Sequence, residues 1–120
     1  MKTLYLIGGP MGVGKPAAGQ ALKLLLDNSV FLDGDWCWDM HPFRVTEETK
    51  ELVLGNITLL LNRFLRCSAC DHVILAWVLH RQEVLDALLE QVDNGVLKVT
   101  PAADYISHLS EKDQAALLVI

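Results

Sequence analysis

Gly8-Gly9-Pro10-Met11-Gly12-Val13-Gly14-Lys15-Pro16 is the stretch on which the reading of this chain turns. The apolar run Thr3 to Ile7 (TLYLI) precedes it and ends at glycines, as a buried strand entering a tight turn does. Ala18, Ala21, Leu22 and Leu25 follow at helical spacing, and Asp27-Asn28 supplies a stop. Gly9 to Lys15 therefore fits GxxxxGK between a strand and a helix. That context separates a phosphate-binding loop (Walker A) from a chance match. Glycines let the backbone curl so that successive N–H groups face phosphate oxygens. The helix N-terminus adds partial positive charge, and Lys15 brings a mobile ammonium to the β- and γ-phosphates. The plainer alternative is a glycine-rich turn with no ligand.

Pro16 stands where such a loop carries Ser or Thr. A hydroxyl there would bind Mg²⁺, and the amide N–H would face phosphate; proline supplies neither. It also disfavours the α conformation at Lys15. The fold should suffer little, because proline is tolerated in a first helical turn. The metal, and chemistry that depends on placed charge, should suffer more.

Beyond the loop the chain alternates. Ser29 to Leu32 is a second strand running into Asp33-Gly34-Asp35, and residues 36–45 (WCWDMHPFRV) lack a period and read as a loop with at most a helical turn. Thr46 is an N-cap ahead of Glu47 and Glu48. Val53, Ile57, Leu60, Leu61 and Phe64 mark one face of a long helix to about Arg66. His72 to Leu79 is an unalternating apolar run, as expected of a central parallel strand. A helix through Val84 to Val92 and a fourth strand, Val96 to Thr100, follow, then a short helix near 102–109 and a last helical piece from Ser110. Four strand–helix repeats predict one α/β domain, residues 1–120, with a parallel sheet and helices on both faces. Ligands of such sheets lie at the C-terminal strand ends, here Gly8-Gly9, Asp33-Gly34-Asp35, His80-Arg81 and Thr100-Pro101.

The bulk composition narrows the partners. With 52% hydrophobic and 21% charged residues the chain supports a core. A net charge of -5 argues against a nucleic-acid polymer as partner. The N-terminal apolar run is too short for a signal-peptide core and no stretch is long enough to span a membrane, so a cytoplasmic protein is expected. Three cysteines do not make a disulfide framework. Cys67-Ser-Ala-Cys70 closes a helix instead of opening one, so buried free thiols are expected there.

GGPMGVGKP after the first strand, with FLDGDWCW after the second, resembles the P-loop kinases of small molecules. That group includes nucleoside and nucleotide kinases, shikimate and gluconate kinases, adenylylsulfate kinase and chloramphenicol phosphotransferase; the chain is most similar to AAA-type, nucleotide-kinase-like proteins of bacteria. The resemblance covers roughly residues 1–100. It implies a three-layer P-loop NTPase-type fold and transfer of the γ-phosphoryl of ATP to a nucleotide or small-molecule hydroxyl. It implies that Gly9, Gly12, Val13, Gly14 and Lys15 hold the triphosphate and that Mg²⁺ is the cofactor, its site weakened by Pro16. Asp35 would serve the acceptor hydroxyl, and Asp33 would lie on the metal side. Trp36, Trp38 and Phe43 follow at once and either stack on a flat acceptor or cover the core edge. Trp36 and Arg44 are the candidates for acceptor contact, with His41 beside them and Arg44 the one suited to an anionic acceptor.

Two departures from that group accompany Pro16. No Asp ends the third strand, so the usual second metal-side carboxylate of the group is either missing or supplied by Asp33. The Arg-bearing lid, fifth strand and final helix of the group are not found, so the fold is expected to be C-terminally incomplete. The competing expectation is therefore a catalytically impaired relative that binds nucleotide or phosphate without turnover, or an incomplete chain whose sheet edge favours self-association.

Overall fold

The computed structural model describes residues 2–9, 14–79, 81–92, 97–101 and 118–119, the last two segments by their backbone. Strand β1 (Lys2–Gly8) leads through the glycine-rich loop into helix α1 (Lys15–Leu25). Strand β2 (Ser29–Asp33) runs into a 3-10 turn, Gly34–Trp38. Helix α2 (Glu47–Arg66), strand β3 (His72–Trp77), helix α3 (Gln82–Gln91) and strand β4 (Leu97–Pro101) follow, then a two-residue strand β5 (Leu118–Val119).

The strands lie in the order β2-β3-β1-β4, all parallel, so the chain is an α/β protein as its alternation predicts. β5 pairs antiparallel with the end of β1, Ile7 opposite Val119 and Gly8 opposite Leu118. The pairing is antiparallel and short, and so differs from the fifth strand that the resemblance implies. The short helix near 102–109 and the piece from Ser110 lie outside the described residues.

Alternate residues of β1 go to opposite faces, which divides the core in two. Leu4 and Leu6 join Val73, Leu75, Val53, Ile57, Leu61, Leu65, Leu85 and Leu88 under α2 and α3. Tyr5 and Ile7 join Phe31, Ile74, Ala76 and Leu22 under α1. Each such fully buried aliphatic side chain contributes about 1.5–3 kcal/mol relative to exposure. The stripe on α2 is Val53, Ile57, Leu61 and Leu65, with Leu60 and Phe64 only partly covered. Gly19 lets α1 lie on β2, since a Cβ there would stand 2.2 Å from Phe31 Cε1.

The helix ends are legible as chemistry. Thr46 Oγ1 accepts from the Thr49 N–H (3.1 Å), while Thr49 Oγ1 accepts from the Thr46 N–H (2.8 Å). This reciprocal cap satisfies two otherwise orphan donors. Thr58 Oγ1 bonds back to the Leu54 carbonyl at 2.9 Å, and Asn62 donates to the Gln91 carbonyl at 3.1 Å, tying α2 to the end of α3.

The topology also places a crevice. β1 connects by α1 towards β2, on one side of the sheet order, and β3 connects by α3 towards β4, on the other. α1 and α3 cover opposite faces. Between β1 and β3 the outgoing connections therefore diverge, and such a switch point opens a crevice at the C-terminal strand ends. No helix among the described residues is long and apolar enough to cross a membrane.

Candidate functional site

The ends of β1, β3 and β2 are in register. Ile7, Ala76 and Asp33 form one row across β1, β3 and β2, and Gly8 pairs with Trp77 one step further. The glycine-rich loop, the end of β3 and Asp33-Gly34-Asp35 thus leave the sheet at the same level, within two strand spacings (about 10 Å) of each other.

At β1 the loop enters α1 through Gly14, whose φ of 86° and ψ of 27° are left-handed. A residue with a Cβ would be strained there by about 1–2 kcal/mol, which accounts for the glycine before Lys15. The Gly14 carbonyl accepts from the Ala18 N–H at 3.1 Å, the first turn of α1. Pro16 sits exposed within that turn, and the helix still begins at Lys15. Proline is thus placed in the first helical turn, where its missing N–H costs the helix least.

Lys15 is 5% exposed. Its Nζ donates to the Gly9 carbonyl at 2.7 Å, so the ammonium lies folded over the start of the loop. Gly9 is itself buried. Gly12 and Val13, assigned to the triphosphate by resemblance, lie outside the described residues.

At β2 the Asp33 side chain is 6% exposed, and its Oδ1 accepts from the Asp35 N–H at 2.9 Å. Asp33 therefore caps the 3-10 turn and fixes where Asp35 starts. Burial pushes the Asp33 carboxyl up from its ordinary value. The Asp35 N–H and the Lys15 ammonium oppose that push, the Asp35 charge adds to it, and burial wins. Lys15 and Asp33, 18 positions apart, are thus brought into electrostatic reach of each other. Gly34 is buried under Trp77, and a Cβ on it would fall 2.4 Å from Trp77 Cγ. The end of β3 accordingly contributes an indole where an acidic residue was lacking.

Asp35 opens outward. With Trp36, Trp38, Asp39 and Phe43 it lines a cavity of about 510 Å³. Trp36 meets Phe31 edge to face at 5.6 Å between centroids, and Trp38 lies tilted against Phe43 at 5.7 Å. Trp38 packs partly on the core, while Trp36 and Phe43 are 56% and 62% exposed, so these aromatics both cover the core edge and wall the cavity. Asp39 is a wall residue that the sequence did not single out.

Arg44 does not line the cavity and its side chain is exposed. Its backbone carbonyl is what the site uses, accepting from Trp38 Nε1 at 3.1 Å and from Thr49 Oγ1 at 3.0 Å, which pins the aperiodic loop to the start of α2. Arg81 pairs with Glu83 at 3.1 Å at the start of α3. His80 lies outside the described residues.

The donor set fits phosphate better than Mg²⁺. A glycine-rich turn, a helix start and a buried lysine suit an anion. Pro16 offers no side-chain oxygen to a cation. Among the described residues no group of three or more His, Cys, Asp or Glu side chains is placed to hold a metal ion. Asp33, expected on the metal side, has one oxygen engaged by its own turn. At the far end of the sheet, Cys67 and Cys70 are free thiols, the first exposed, not buried as expected. Burial, then Cys67, pushes the Cys70 thiol up, the opposite of an activated thiolate.

No protein-family model matches the chain, and no curated protein matches it. The fold is similar to that of the crystal structure of APE1195, with a TM-score of 0.57 and 22% identity over 80% of this chain. The chain spans 58% of the length of that structure. At this identity the likeness is one of fold.

Proposed function

We propose that this chain is a P-loop kinase-like protein with the three-layer P-loop NTPase-type arrangement. It binds the phosphates of a nucleoside triphosphate, by resemblance ATP, over the β1–α1 loop. The observation that carries this reading is the buried Lys15 at the switch point of a parallel sheet, in electrostatic reach of the Asp33 carboxylate. A lysine is rarely buried unless its charge is partnered, and here its ammonium lies on the Gly9 carbonyl at the start of the loop.

In this reading Gly9, Gly12, Val13, Gly14 and Lys15 hold the triphosphate. The acceptor occupies the cavity beside Asp35. Its hydroxyl oxygen attacks the γ-phosphorus, the Asp35 carboxylate takes the hydroxyl proton, and the nucleoside diphosphate leaves. Asp33 sets the position of Asp35 and adds negative charge on the side where Mg²⁺ would travel with the triphosphate. A specific observation favours a second reading, binding with little turnover: Pro16 stands in the first turn of α1 and gives the metal no ligand. The cell location that accords with either reading is cytoplasmic.

The test is heat denaturation with and without ATP. The wild type should melt higher with ATP, and Lys15→Ala should lose that shift; equal shifts in both would sink the binding claim. Pro16→Thr then separates the two readings. A gain in Mg²⁺-dependent turnover places the fault at the metal, whereas no gain places it elsewhere.

A further inference from the structure

The cavity beside Asp35 carries information about the acceptor that the phosphate loop does not. Its walls are Asp35, Trp36, Trp38, Asp39 and Phe43. Two are carboxylates and three are aromatic, and none is Lys, Arg or His among the described residues. The only arginine of the neighbouring loop, Arg44, turns its carbonyl inward to Trp38 Nε1 and Thr49 Oγ1 and leaves its side chain exposed, off the cavity. Asp33 adds a third carboxylate directly beneath the 3-10 turn.

An anionic acceptor would meet like charge here, with no cation among the described wall residues to offset it. An organic cation meets the reverse. Aromatic faces attract a cation through the ring quadrupole, most strongly for Trp. Two carboxylates at the same mouth raise its local concentration. The exposed halves of Trp36 and Phe43, held from behind by Phe31 and Trp38, present apolar surface that a methylated or alkyl ammonium group would cover. A cavity of about 510 Å³ takes a small organic molecule.

We infer that the acceptor is a hydroxyl-bearing organic cation, an amino or ammonium alcohol, instead of a nucleotide. The aromatic walls and Asp39 hold the cationic end, and the hydroxyl is left towards Asp35 and the phosphate loop. This inference rests on the kinase reading for the fate of the hydroxyl, while the recognition of the cation rests on the cavity alone.

The experiment is tryptophan-fluorescence titration of the full chain with three probes: choline, its uncharged carbon isostere 3,3-dimethylbutan-1-ol, and adenosine monophosphate as the anionic alternative. Choline should quench saturably and bind at least about threefold more tightly than the isostere, the ratio expected of one exposed cation–π contact. Added salt should narrow that ratio. Asp39→Asn should weaken choline and leave the isostere unchanged. Equal binding of choline and isostere, tighter binding of adenosine monophosphate, or no binding of choline overturns the inference. Lys15→Ala keeps the two claims apart: choline binding retained while wild type and variant fail alike to bind ATP would leave the cavity reading standing and remove the kinase reading. ATP binding without preference for choline would do the reverse.

Discussion

Gly34→Ala is the perturbation that tests most sharply how the site is built. The added Cβ would lie 2.4 Å from Trp77 Cγ, 2.5 Å from Cδ1 and 2.9 Å from Cβ. Ordinary carbon contacts are 3.5–4.0 Å, so the indole or the 3-10 turn must move by about 1 Å. Trp77 is 6% exposed and closes the row of strand ends, so it has little room to yield. Overpacking of this kind costs about 1–3 kcal/mol. Against that, alanine restricts the unfolded chain and returns about 0.4–1 kcal/mol. A net loss of about 1–2 kcal/mol follows, a fall in Tm of roughly 4–10 °C for a domain of this size. The assay is urea unfolding followed by tryptophan fluorescence, on Gly34→Ala, Trp77→Leu and the double variant. The smaller side chain should relieve the clash, giving a coupling of about 1–2 kcal/mol between the two sites. Wild-type stability in Gly34→Ala, or strict additivity in the double variant, would refute the packing argument.

Two other glycines predict opposite outcomes for the same substitution. Gly19→Ala should cost about 1–3 kcal/mol, because its Cβ would meet the Phe31 ring at 2.2–2.8 Å. Gly55→Ala should stabilise by up to about 1 kcal/mol, because nothing lies within 4 Å and only helix propensity changes; denaturant midpoints read both. Asp33→Asn keeps an oxygen for the Asp35 N–H but removes a carboxyl whose folded value is raised by burial. A raised carboxyl favours the folded state below its unfolded value of 3.8 and loses that contribution as pH rises through the folded value. Asp33→Asn should therefore gain on the wild type in Tm as pH rises from about 4 to 7, and a gap that widens towards acid would contradict the burial argument.

Much of the fold was legible because it rests on local patterns. TLYLI before glycines, the helical spacing behind Lys15, and Thr46 ahead of two glutamates each specify an element within a few residues. Asp33-Gly34-Asp35 was visible as a polar strand end. Its glycine's reason was not, since Trp77 reaches it from a strand 43 positions later. Residues 36–45 carry no period, so nothing local says which side chains face the cavity. That Asp39 lines the cavity and Arg44 does not is therefore not legible locally, the loop's course being set by hydrogen bonds to a backbone carbonyl. The pairing of Leu118–Val119 with β1 is a long-range contact of two residues and leaves no sequence signal.

The central claim is that Lys15 and its loop hold the phosphates of a nucleotide. Calorimetric titration of ATP, with and without Mg²⁺, into the wild type and Lys15→Ala tests it most directly. The account predicts binding by the wild type that Mg²⁺ changes little, because Pro16 gives the metal no ligand, and a loss of about tenfold or more in Lys15→Ala, as befits a desolvated charge contact to phosphate. Equal affinity in the two proteins, or no heat of binding in either, would contradict it.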